Sequence, residues 1–170
     1  MQAWKLVALA TALISLASCG QKSQDTVCSN TSGQNIVGGT NVDSSDPIAA
    51  STVALVFDVQ TAEGSGQALC TGTLVAKDIV MTAAHCVDGA VDGGVIFATD
   101  AQNAGQSDLR VITAVDVNPD YAADASTNRN DIALVKFTGD VPAGYKIAKL
   151  ATSKTKAQDG DEVVLAGYGA

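Results

Sequence analysis

The chain has 170 residues, enough for one domain of ordinary size. With 46% apolar residues, 16 glycines and 16% charged residues, it suits a β-rich globular core and not a disordered segment. Its formal charge of −8, with no Lys/Arg cluster to offset it, argues against a nucleic-acid partner and suits the solubility of an exported protein.

Residues 1–18 have the form of an export leader. Lys5 supplies a short positive start, residues 6–16 are apolar, and Leu16-Ala17-Ser18-Cys19 closes the segment. The apolar run is too short to span a bilayer. Lys5 is the leader's only charge, so its removal leaves −9. Leu16-Ala17-Ser18-Cys19 resembles the lipobox of bacterial lipoproteins. That resemblance implies cleavage before Cys19, diacylation of Cys19 and membrane attachment through lipid alone. Gly20, where an aspartate would signal retention, implies the outer membrane. An ordinary cleaved leader, with a cysteine near the cut by chance, is the other reading. Residues 19–35 follow as a tether, rich in Ser, Asn, Gln and Thr and without periodicity.

Ordered structure is expected from Ile36-Val37-Gly38-Gly39-Thr40. Short β-branched runs then recur at 52–59, 68–75, 79–83, 95–98, 109–117 and 132–137, split by Gly, Asp and Asn clusters. Six such runs point to an antiparallel sandwich or small barrel. No long stretch between them carries helical spacing, so parallel βαβ units are not expected. A single helical turn fits 83–87. Residues 141–160, Lys-, Thr- and Ala-rich with Pro142 and Gly144, read as a connection. A further strand is expected at 162–166 before Gly167-Tyr168-Gly169 turns. Such a strand has nothing to pair with in its own unit, so the sequence reads as breaking off inside a second one.

Thr82-Ala83-Ala84-His85-Cys86 holds the single histidine, where a strand gives way to a loop. That is a usual address for a catalytic base. Asn130-Asp131 opens the run at 132–137. Histidine before aspartate is the chain order of the first two members of one Ser-His-Asp triad. A core imidazole and a turn-forming aspartate are the structural alternatives. Cys70 and Cys86 lie sixteen positions apart around a strand pair and are expected to bridge in an oxidising compartment. Closing that loop contributes about 3 kcal/mol and would pin the turn bearing His85. Cys28 is left as a free thiol, or as half of a bond whose partner lies elsewhere. Zinc at His85 is disfavoured, since no Cys-x-x-Cys pair or second histidine completes four ligands. Neither a metal nor a cofactor is expected.

Taken together, Ile36-Val37-Gly38-Gly39-Thr40, Leu69-Cys70-Thr71-Gly72-Thr73-Leu74-Val75, Ile79 through Cys86, Asn118-Pro119-Asp120-Tyr121, Asn130 through Lys136 and Ala166-Gly167-Tyr168-Gly169 resemble the trypsin/chymotrypsin family of serine endopeptidases. The resemblance implies a six-stranded antiparallel Greek-key barrel over 36–140, with 141–170 as the inter-barrel connection and opening strand of a second barrel. It implies that His85 takes the proton of an attacking serine hydroxyl, that Asp131 orients the imidazole, and that the substrate is a protein or peptide.

Two departures stand out. The family's Gly-Asp-Ser-Gly-Gly segment does not occur in these 170 residues, and Ser107 and Ser126 lack its glycine-flanked setting. Asn35 precedes Ile36 where self-activating members carry Arg or Lys, so a zymogen-type cut at Asn35-Ile36 would need another protease. The leading expectation is the N-terminal portion of a lipid-anchored endopeptidase, inactive as written for want of the nucleophile. The alternatives are a non-catalytic, protease-like binding module on the bacterial envelope and an inert lipoprotein. Oligomeric state is not readable from the sequence.

Overall fold

The computed structural model describes residues 39–61, 64–123 and 128–169. The strands in chain order are β1 (Thr52–Thr61), β2 (Gly64–Ala76), β3 (Ile79–Thr82), β4 (Ala90–Ile96), β5 (Leu109–Val117), β6 (Ala122–Ala123), β7 (Asn128–Arg129) and β8 (Ala133–Phe137). Single 3-10 turns cover Ala84–Cys86 and Gln106–Asp108.

Period-two patterning builds the barrel. In β8, Ala133, Val135 and Phe137 are buried while Leu134 and Lys136 face out. Val53, Leu55 and Phe57 of β1 meet Leu74, Val80, Val95, Val135 and Phe137 in one core, each at most 2% exposed. Full burial of side chains of this size stabilises by about 1.5–3 kcal/mol apiece. Phe97, just after β4, meets Phe137 edge-on at 5.5 Å within the core, and Tyr145 packs against it at 4.9 Å.

All pairings are antiparallel, and six strands close in the order β1-β2-β3-β8-β5-β4, with β4 returning to β1. This is the expected all-β, six-stranded barrel, and closure leaves it no free edge. Gly72 shows how tightly it closes. A Cβ there would lie 2.3 Å from Val80 Cγ1 and 3.0 Å from Leu55 Cδ1.

Some boundaries differ from the sequence expectation. β4 begins at Ala90 and not at 95, because Gly93 and Gly94 pair with Phe57 and Val56 despite their turn-like composition. A two-stranded hairpin of β6 and β7, not anticipated, lies between β5 and β8. The expected strand at 162–166 does not form. Val163, Val164 and Leu165 are 62%, 74% and 85% exposed, and no described strand pairs with them. Without a neighbouring ladder, β-branched composition alone does not make a strand.

After β8 the chain runs back along the barrel. Lys146 N–H donates to the Ala50 carbonyl at 2.6 Å, and Ala148 N–H to that of Leu74 at 2.8 Å. The expected leader, Cys19, Cys28, the tether, the Asn35-Ile36 junction and Ser126 lie outside the described residues.

Candidate active site

The last residue of β3 begins the construction. Thr82 is buried and its hydroxyl donates to the Thr71 carbonyl at 2.9 Å, tying β3 to β2. Ala83 remains extended, and the chain then tightens into the 3-10 turn Ala84–Cys86. Ala84 and Cys86 point inward, leaving His85 at the turn's outer side. The Cys70–Cys86 disulfide, with Cα atoms 6.2 Å apart, clamps this turn to β2. The expected helical turn and the expected bridge are therefore both present, and both hold the same residue in place.

Asp131 lies two residues before β8, whose first residue, Ala133, pairs with Thr82 at the end of β3. Its Oδ2 accepts the His85 Nδ1–H at 2.7 Å, and its Oδ1 accepts the His85 backbone N–H at 2.9 Å. One carboxylate thus fixes both the ring and the peptide of a residue 46 positions earlier. An ionised carboxylate can only accept, so the ring proton sits on Nδ1 and the Nε2 lone pair is left as the basic position. The imidazole is 54% exposed and the carboxylate 20% exposed, so the basic edge opens to solvent while the orienting side is sheltered.

The electrostatics follow. The hydrogen bond from the His85 side chain, reinforced by backbone donors and opposed by partial burial, holds the Asp131 carboxyl below its ordinary range. Tyr121 nearby has its hydroxyl pushed up, chiefly by desolvation and further by the charges of Asp131 and Asp88.

The ligating atoms of Cys70, His85 and Cys86 all lie within 4.8 Å of one another, a spacing a soft cation could use. Both sulfurs are joined to each other, however, so neither is a thiolate, and thiolate is the form that binds zinc. Cys86 Sγ is 3.6 Å from His85 Nε2, and neither atom has a proton to donate to the other. Among the described residues no serine hydrogen-bonds His85 Nε2. An open cleft of about 560 Å³ bounded by Lys77, Asp78, Lys136 and Asp140 includes neither His85 nor Asp131.

The family model described as Trypsin matches residues 36–170. The chain belongs to the trypsin family. Among its relatives, Granzyme-like protein 1 of Rattus norvegicus is 31% identical over 63% of this chain and 43% of that protein. Trypsin Tyr p 3.0101 of Tyrophagus putrescentiae is 30% identical over 83% of this chain and 48% of its own length. The chain therefore spans less than half the length of these curated relatives. The solved structure of GrC superposes with a TM-score of 0.59 at 22% identity, over 73% of this chain and 52% of that one, which shows the shared fold.

The barrel is the one the family resemblance implied, and His85 and Asp131 lie within hydrogen-bonding distance of each other. The sequence reading assigned no role to Asn130 or Tyr168. Asn130 carried a local signal, an asparagine directly before the acid. Tyr168 was marked only by the Ala166-Gly167-Tyr168-Gly169 motif, and nothing local points to its partner Thr71, 97 positions away.

Proposed function

We propose that this chain supplies the general base and its orienting acid for a serine endopeptidase acting on proteins or peptides. The observation carrying this reading is the double acceptance by Asp131 of His85 Nδ1–H and His85 N–H. In such an enzyme His85 Nε2 takes the proton of a serine hydroxyl as the oxygen attacks the peptide carbonyl. It then returns that proton to the departing amine. Asp131 keeps the lone pair on Nε2 and stabilises the imidazolium that forms in between. The serine and the groups that receive the carbonyl oxygen would come from outside these residues, and the 170-residue chain by itself is inactive.

The test is fluorophosphonate labelling of the product of the intact gene, with a peptide hydrolysis assay beside it. The reading expects labelling that is abolished by His85→Ala. It expects Asp131→Asn to lower kcat by about 10⁴-fold, the scale of the same exchange in a triad protease. An unlabelled, inactive gene product overturns it, as does a labelled product indifferent to both substitutions. The 170-residue chain alone is expected to remain unlabelled.

The location proposed is a bacterial envelope, with Cys19 diacylated and the protein exported. Its support is the N-terminal sequence from Lys5 to Gly20; the relatives described above are animal proteins. No helix among the described residues is long and apolar enough to cross a membrane. Metabolic labelling with an alkynyl fatty acid, lost in Cys19→Ala, tests the anchor. Release of a chain beginning at Ile36 by an added protease tests cleavage at Asn35-Ile36.

A further inference from the structure

Asp131 serves His85 only if its carboxylate faces back across the site, and the backbone that aims it is unusual at one residue. Asn130 has φ 54°, and among the described residues no other non-glycine has positive φ. That conformation is unfavourable for most residues, and asparagine is one of the few that visits it readily. Here it reverses the chain between β7 and β8. Ile132 N–H donates to the Asn130 carbonyl at 2.9 Å, making Asp131 the middle residue of a three-residue turn.

Asn130 is exposed and adds nothing to the core. Its side chain instead makes a long-range bond, with Nδ2 donating to the Asp120 carbonyl at 2.9 Å. Asn118 N–H ties the same two stretches together by donating to the Ile132 carbonyl at 3.1 Å. Within the loop, the Asn118 carbonyl accepts Tyr121 N–H at 2.9 Å, and Asn118 Oδ1 accepts Asp120 N–H at 3.1 Å. Residues 118–121 and 130–132 therefore form one bonded frame that brackets Asp131.

We propose that Asn130 is a positioning residue for the His85–Asp131 pair. Its left-handed backbone and its bond to Asp120 hold the carboxylate in register with both donors of His85, a role that rests on reading that pair as the catalytic base and its orienter. A carboxylate that must meet two donors at 2.7 and 2.9 Å has little rotational freedom to give up. Misplacement by about 1 Å in such a constellation costs on the order of 10²-fold in rate.

The test uses the full chain and NMR. Its single histidine makes the imidazole signals unambiguous. The wild type is expected to show one dominant Nδ1–H tautomer, a slowly exchanging Nδ1 proton and a protected His85 amide. Asn130→Ala is expected to speed exchange of both protons about tenfold and to mix the tautomers, and Asn130→Gly, which accepts φ 54° but lacks the amide, about threefold. A role confined to stability would lower the melting temperature and leave the tautomer alone. Unchanged exchange and tautomer in a folded Asn130→Ala chain overturn the proposal. If that variant does not fold, Asn130→Gly decides: faster exchange supports the proposal and unchanged exchange overturns it. Asp131→Asn separates the two levels. If it leaves the wild-type Nδ1 signal intact, the pair itself is refuted and this proposal with it, whereas a failure limited to the Asn130 variants leaves the protease reading standing.

Discussion

Tyr168 closes back onto Thr71: its backbone N–H donates to Thr71 Oγ1 at 3.0 Å across 97 positions of sequence. Its hydroxyl reaches on to the Ala98 carbonyl at 2.5 Å, and the residue is 9% exposed. Gly167 fits beside it because a Cβ there would come within 3.0 Å of Thr71 Oγ1. The segment after β8 is thus pinned to the barrel at the same β2 residue whose carbonyl holds Thr82, three residues before His85.

Tyr168→Phe removes the hydroxyl and leaves the Ala98 carbonyl without that donor. The expected loss is about 1–2 kcal/mol, read as a fall in melting temperature of about 2–8 °C. A change within 1 °C refutes the anchoring role.

Asp131 links the site to acid stability. Its pKa lies below the ordinary value in the folded chain, so its contribution is complete above the unfolded value near about 3.9 and is lost as pH falls through the folded one. Urea unfolding from pH 7 to pH 2 is expected to show a loss below about pH 4 that is smaller in Asp131→Asn than in the wild type. Asp43 and Asp100 are lowered as well, by their bonds with Ser45 and Asn103, so the difference between the two chains isolates Asp131. Parallel curves for the two contradict this linkage.

The Cys70–Cys86 bridge closes a separation of 16 residues. Replacing both cysteines by alanine is expected to destabilise the chain by about 3 kcal/mol, measured by urea midpoint at constant slope. Because Cys86 is also the last residue of the turn bearing His85, the same variant is expected to broaden the His85 ring signals.

Gly72 is where the barrel has no room. The Cβ of Gly72→Ala would overlap Val80 Cγ1 and approach Leu55 Cδ1 and the Met81 carbonyl, so β2 or β3 must shift. Overpacking of this kind costs about 1–3 kcal/mol. Gly64→Ala offers a contrast, since its Cβ meets nothing within 4 Å and the positive φ opposes it instead.

The sequence by itself determined which faces are apolar and which residues carry chemistry. Alternation in residues 133–137 marks a half-buried strand, the lone histidine sits where β3 ends, and the order His85 then Asp131 suggested their roles. These are local signals, because side-chain period and residue type are written along the chain. Partnership is not local. Residues 162–166 have strand composition and form no strand, while Asp92-Gly93-Gly94 look like a turn and pair with β1. Only closure of the barrel decides which backbone groups find neighbours. In the same way it brings Thr71 to Tyr168 and Asp131 to His85 across 97 and 46 positions, and it sets Asn130 at φ 54° directly before Asp131. Hydrogen bonds over such separations depend on distances that exist only once the sheet has curled shut.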